Sequence, residues 1–196
     1  MDYPEYVKVE DKKYKINTDF RVAIKCQSIA TDASINDLER SLAIIYKLFG
    51  DEGINAPEHY EKLLELALKY LGCGKKVEND NTEEPDMDFE QDIDYIEASF
   101  MSDYGIDLND GEMHWWKFYK LINGLSNSEM GSCCVLNRIR NLRNFDTSEI
   151  KDAKEREKIE KAKKQVALNK KENEKKQLNE KQVNNINAFY KMIEGE

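Results

Sequence analysis

The N-terminal part of the chain, residues 1–74, begins with alternating apolar and polar side chains. Residues 6–9 and residues 13–16 both alternate in this way, and a polar turn separates them. Alternation over a few residues on either side of a turn is typical of paired β-strands. We therefore predict that the two stretches form a short β-hairpin.

Three helices are predicted in the rest of this part, because apolar residues recur there at every third or fourth position. The first has Thr18 as its N-cap. The second begins at Ser34 and stops at Gly50, and the third begins at Asn55 with Pro57 in its first turn. Since short loops join the helices, we expect them to pack with the hairpin as one block.

After this block comes a stretch in which apolar residues do not recur at regular spacing. Residues 75–88 are rich in Asn, Glu and Asp and contain one proline, which predicts a flexible acidic linker. A second helical block, residues 89–146, follows it. Its first helix is expected after Asp88, and its last helix is expected after Ser126 or Ser128.

The middle helix of the second block is predicted over roughly residues 112–123, within "GEMHWWKFYKLINGL". This segment contains both tryptophans of the chain and one of its two histidines. Helical spacing places four apolar side chains on one face: Trp115, Phe118, Ile122 and Leu125. We interpret this face as core. Trp116 and Tyr119 lie on its flank and are candidates for binding a partner protein.

The last part of the chain, residues 147–196, is rich in charged helix formers and has too few apolar residues for a coiled-coil seam. We predict an arm that is partly helical and partly disordered. Phe189 and Tyr190 belong to a small apolar patch near its end and are further partner-binding candidates. The predicted fold class is thus mainly α, with two small helical blocks, an N-terminal β-hairpin and a charged helical C-terminal arm.

Charge is unevenly distributed along the 196 residues, which carry 30 Lys and Arg against 39 Asp and Glu. Residues 78–97 contain ten acidic side chains and no basic one, whereas residues 151–182 contain twelve basic and seven acidic side chains. The net charge of −9 argues against a protein that binds nucleic acid over its whole surface, because phosphate binding needs a concentrated positive surface. Only the basic arm, residues 151–181, leaves that function open.

The remaining chemistry is sparse. Four cysteines show no CxxC pair and no metal-ligand spacing, so we interpret them as reduced thiols of a cytoplasmic protein and expect no metal or cofactor. The sequence has no signal pattern and no run of the ~18 apolar residues that a membrane helix needs. His59 is expected at the surface and His114 is expected to be structural. Without a nucleophile and base at recognisable spacing, we predict that the protein is not an enzyme.

Three stretches together resemble the bacteriophage family called gene-product fifteen: "DIDYIEASFMSDYGIDL", "MHWWKFYKLINGL" and "RIRNLRNFDTSEIKDAKEREKIEKAKKQVAL". The resemblance covers roughly residues 14–168. The residues that carry it are Ile93, Ala98, Ser99, Phe100, Tyr104, Gly105, Ile106, Asp107, Leu108, His114, Trp115, Trp116, Phe118, Gly124 and Leu125, and more loosely Ile139, Arg140, Ile150, Asp152, Glu155 and Arg156. Residues 170–196 extend beyond the usual ending of the family.

The resemblance implies a function in phage tail assembly, because the family is encoded between the tail-tube and tape-measure genes of long-tailed phages and prophages of Gram-positive bacteria. It implies a non-enzymatic chaperone in the host cytoplasm that binds the tape-measure protein and helps the tail-tube protein to assemble. The family provides no catalytic residue to transfer. Self-association stays open.

Two other functions stay open at this point. The protein could be an accessory regulator or nucleic-acid-binding protein that uses residues 151–181 as its contact arm. It could also be a structural component that is retained in the mature tail.

Overall fold

The chain begins with an antiparallel hairpin and continues as helices. The structure, a computed structural model, describes residues 3–32, 34–75, 85–127 and 133–169. Strands β1 and β2 span Tyr6–Val9 and Lys12–Lys15. Helices α1 to α7 span, in order, Phe20–Thr31, Asp37–Ile54, Tyr60–Leu71, Ile93–Tyr104, Trp115–Asn123, Val135–Asn144 and Ala153–Val166. This mainly helical architecture with an N-terminal hairpin confirms the predicted fold class.

The hairpin pairs one residue away from the predicted register, with Val9 opposite Lys12 and Tyr6 opposite Lys15. A two-residue turn accounts for the shift, since Glu10 adopts a left-handed conformation with φ 51°. The alternation still places Tyr14 on the buried side, where it is 0% exposed.

The helices of the first part begin a little later than the sequence predicts, and for α1 and α2 the reason is that other side chains provide the caps. Asp19, rather than Thr18, accepts the backbone N–H of the first turn of α1. Asn36, rather than Ser34, caps α2, and it does so in a capping box with Glu39. The third predicted helix starts as a 3-10 turn, Pro57–His59, before α3.

Gly50 interrupts α2 without ending it. Its backbone lies at φ 62° and ψ −153°, and the helix then continues to Ile54. A Cβ built at Gly50 would meet no atom within 4 Å, so the backbone conformation and not a lack of space requires glycine. The predicted stop is therefore a kink.

Contacts group the described residues into two units. The first comprises residues 3–75 and 112–118, and the second comprises residues 85–111, 119–127 and 133–169. The sequence-based division placed the whole segment 112–123 in the second block. Its first seven residues instead belong to the first unit, because their hydrogen bonds are made there.

Each unit has its own buried apolar core. In the first unit, α2 packs against α1 and α3, and in the second unit α6 packs against α4 and α7. The largest fully buried apolar side chains of the first unit are Tyr14, Ile16, Phe20, Ile45, Leu48, Leu63, Trp115 and Phe118. Those of the second unit are Ile96, Phe100 and Leu136.

Candidate protein-interaction site

Two backbone hydrogen bonds join the segment before α5 to the residues around the start of α1. The backbone N–H of Phe20 donates to the carbonyl oxygen of Met113 at 2.9 Å, and that of Trp115 donates to Thr18 at 2.7 Å. These two bonds form an isolated antiparallel bridge between Asp19 and His114. The bridge fixes the position of His114, and the two tryptophans follow it directly in the chain.

Both indoles bind the C-terminal end of α3. Trp115 Nε1 donates to the carbonyl oxygen of Leu71 at 3.0 Å, and Trp116 Nε1 donates to that of Tyr70 at 2.9 Å. The last carbonyls of a helix have no partner within the helix. The paired tryptophans therefore act as a side-chain cap for α3.

The apolar face of α5 is buried as its spacing predicts. Trp115 and Phe118 are 0% exposed, and Ile122 and Leu125 are each 6% exposed. Phe118 also stacks on Phe20, with ring centroids 4.4 Å apart. The interpretation of this face as core is confirmed.

His114 has a structural role in the described residues. The backbone N–H of Trp116 donates to His114 Nδ1 at 3.0 Å, so the proton of the neutral ring lies on Nε2. That nitrogen is 3.1 Å from the carbonyl oxygen of Pro4, to which it can donate. The ring also stacks on Tyr3 at 4.8 Å. Both nitrogens are thus engaged by the backbone.

The expectation that His59 lies at the surface is wrong. Its side chain is only 12% exposed, and a 2.6 Å hydrogen bond joins its Nδ1 to the hydroxyl of buried Tyr14. A histidine in this position lets the tyrosine hydroxyl be buried with a partner. The polar sequence around His59 gave no indication of this long-range contact.

The four predicted partner-binding residues fall in different surroundings. Trp116 is half-buried, stacks on Tyr70 and approaches Gly74 closely enough that a Cβ there would lie 3.4 Å from its ring. Tyr119 is also half-buried, and Phe189 and Tyr190 lie outside the described residues. Partner binding by these residues stays a prediction.

A comparison of the sequence with known protein families gives a match. Residues 2–168 match the sequence profile described as Bacteriophage Gp15 protein. The chain belongs to this family. The resemblance noted in the sequence is thereby confirmed, and the matched range includes the tryptophan cap and every described helix. No curated protein and no solved structure matches the chain.

A second cluster in this Gp15 chain surrounds Arg143 of α6. Its guanidinium donates two 2.7 Å bonds to the carboxylate of Asp92, which is 1% exposed, and it also donates to the carbonyl oxygens of Asp86 and Val166. The bonds to Asp92 raise the pKa of Arg143 above its usual value. One side chain thus holds the start of α4, the preceding loop and the last turn of α7.

Sequence reasoning missed this cluster, since Asp92 is one of ten acidic residues in its stretch. The same cluster limits the predicted linker. Asp86 accepts hydrogen bonds from Arg140 and Asn144, each at 3.1 Å, so the end of residues 75–88 is held. Residues 76–84 lie outside the described residues.

No residue of helix α7 is fully buried, and Arg143 of α6 donates a hydrogen bond to the carbonyl oxygen of its last residue, Val166. Beyond its last turn, the side chain of Gln91 accepts from the backbone N–H of Asn169 at 2.8 Å and donates to its carbonyl oxygen at 3.4 Å. Lys154, Lys158 and Lys161 are exposed at i, i+4 and i+7 and so share one face of the helix. Residues 170–196 of the predicted arm lie outside the described residues.

Two further observations concern the described part of the chain only. No group of three or more His, Cys, Asp and Glu side chains is arranged there to hold a metal ion. None of the helices in it combines the length and the apolar character that crossing a bilayer requires.

Cys26 is expected to resist alkylation in the folded protein. It is 0% exposed, and burial raises the pKa of its thiol to about 12, an effect that nearby Lys47 partly offsets. Because the thiolate is the reactive form, iodoacetamide at pH 8 should modify half-buried Cys133 well before Cys26, as read by peptide mass spectrometry. Equal labelling rates in the native protein would contradict this, and urea should make both cysteines reactive.

Proposed function

We propose that this Gp15 family protein is a non-enzymatic tail assembly chaperone, which binds the tape-measure protein in the host cytoplasm and helps the tail-tube protein to assemble. The family match over residues 2–168 carries the proposal. Members of the family that the sequence resembles are encoded beside tape-measure genes. This gene position supports tail assembly over other functions of phage proteins.

The chemistry of the chain agrees with a binding function. Both ring nitrogens of His114 are engaged by backbone groups, and its neighbours are aromatic side chains that cap a helix. Large apolar side chains remain exposed, among them Leu68 at 44% and Met101 at 49%. Exposed apolar residues on a charged surface suit contacts with the apolar face of a partner helix.

Co-expression with the tape-measure protein encoded by the same phage tests the proposal. A chaperone should increase the soluble fraction of the tape-measure protein and co-purify with it. The matched control is co-expression with the tape-measure protein of an unrelated phage. If the cognate tape-measure protein neither co-purifies nor changes its solubility, the proposal is wrong.

A second candidate function, nucleic-acid binding, is favoured by the lysine face of α7. Three lysines on one helix face can contact phosphates, although the interleaved glutamates of the arm weaken such binding. A gel-shift titration against salt separates this candidate from the first, because absence of binding at low salt excludes it. A third candidate, a component of the mature tail, requires that the protein be found by mass spectrometry in purified particles.

A further inference from the structure

An open groove of about 800 Å³ lies entirely within the first unit. The end of the hairpin, residues 16–19 before α1 and the kinked part of α2 line it, together with Glu112. Its volume is within the range of ligand sites, but its open form and charged rim suit a polypeptide segment better than a small molecule.

The kink of α2 shapes this groove. Gly50 lines it and holds a backbone conformation that is essentially restricted to glycine. A residue with a side chain would be strained in this conformation, whereas glycine adopts it readily. An unbroken helix would carry residues 51–54 in a different direction, so the kink at Gly50 and the groove belong to one feature.

The rim of the groove carries carboxylates that the described residues leave unpaired. Glu5, Glu52 and Glu112 are exposed and line the groove, and none of them forms an ion pair within the described ranges. Asp19, in contrast, is paired with Arg21 at 2.9 Å. Lys15 and Lys47 also line the groove, so acidic side chains outnumber basic ones by four to two.

An aromatic side chain stands beside these charges. Tyr46 of α2 lines the groove and is 50% exposed, one turn before the kink. Behind it the groove wall is formed by buried Leu48 and Phe49. A half-exposed tyrosine next to unpaired carboxylates can pack on an apolar side chain or on the stem of a lysine or arginine.

We propose that this groove is the docking site for a basic segment of the tape-measure protein, one in which an apolar side chain adjoins Lys or Arg. Charge complementarity carries the choice of occupant, because basic side chains would pair with Glu5, Glu52 and Glu112 while the apolar side chain contacts Tyr46. The inference rests on the proposed function, since it assigns a binding surface to the same partner.

Charge reversal at the rim tests the inference in the full-length protein. The double variant Glu52→Lys with Glu112→Lys removes two attractive carboxylates and adds two repulsive charges. We expect it to recover roughly tenfold less tape-measure protein than the wild type at physiological salt. The variant Tyr46→Ser should reduce recovery independently of salt. Thermal melts establish that each variant is folded before its recovery is compared.

The matched control is Glu61→Lys with Glu149→Lys, which changes the net charge equally at two exposed positions that do not line the groove. Recovery by the control should equal that of the wild type. If the groove variant recovers as much tape-measure protein as the control, the groove assignment is wrong and the proposed function stands.

Two other results would also overturn the assignment. If the wild type itself recovers no tape-measure protein, the proposed function fails and the groove assignment fails with it. If sedimentation shows that only the groove variant loses self-association, while its recovery of tape-measure protein is unchanged, the occupant is a second copy of this chain.

Discussion

Replacing Trp115 with alanine is expected to lower the free energy of unfolding by about 3–5 kcal/mol, the range for a large aromatic side chain removed from a core. Trp115 is 0% exposed and packs against Phe118, with ring centroids 5.8 Å apart. The substitution also removes the N–H that binds the Leu71 carbonyl oxygen and so leaves the end of α3 without that cap. Urea denaturation followed by circular dichroism measures the loss.

Two variants separate the parts of this effect. Trp115→Phe keeps much of the ring packing and removes the N–H donor, so its loss should be smaller than that of Trp115→Ala. Trp116→Ala should also cost less, because Trp116 is half-buried. A Trp115→Ala protein that is as stable as the parent but has lost partner binding would show that the residue serves binding and not the core.

The Arg143→Ala variant should be destabilised by a similar amount, about 3–5 kcal/mol, since it breaks a buried ion pair from one side. The remaining carboxylate of Asp92 is 1% exposed and would lose both bonds from the guanidinium. The carbonyl oxygens of Asp86 and Val166 would lose their donor as well. Chemical denaturation gives the size of the effect.

Hydrogen exchange would show where the Arg143→Ala variant loosens first. We expect faster exchange in the last turn of α7, because the variant loses the hydrogen bond that Arg143 donates to the carbonyl oxygen of Val166. Arg143→Lys keeps the charge but cannot donate the paired bonds, so it should fall between alanine and the wild type. Arg138→Ala is the matched control on the exposed face of the same helix. If Arg143→Ala costs no more than this control, the cluster is not a stabilising centre.

Local patterns predicted those parts of the fold that local interactions determine. The spacing of Trp115 and Phe118 identified the buried face of α5, and the hairpin and most helices were recognised with ends displaced by a few residues. The predicted start of α6 after Ser126 or Ser128 was wrong, because Cys134 is its N-cap and the helix begins at Val135. The caps were displaced because Asp, Asn and Ser all favour the N-cap. Only the structure shows that Asp19 and Asn36 accept the hydrogen bonds.

Contacts between distant residues could not be predicted in this way. The indole bonds of Trp115 and Trp116 reach residues 44 and 46 positions earlier, so no local spacing indicates them. The pairing of Arg143 with Asp92 spans 51 positions, and that of Tyr14 with His59 spans 45. The conformation of Gly50 was also missed, because a glycine at the end of an apolar stripe resembles an ordinary helix stop.

The discontinuous composition of the first unit restricts how this chain can recombine with relatives during evolution. A crossover in the acidic stretch after residue 75 would transfer α1 to α3 without residues 112–118. The recipient would then have to supply two indoles that fit the carbonyl oxygens of Tyr70 and Leu71. Hybrid genes that keep the first unit stable are therefore expected to inherit residues 3–75 and 112–118 from the same parent.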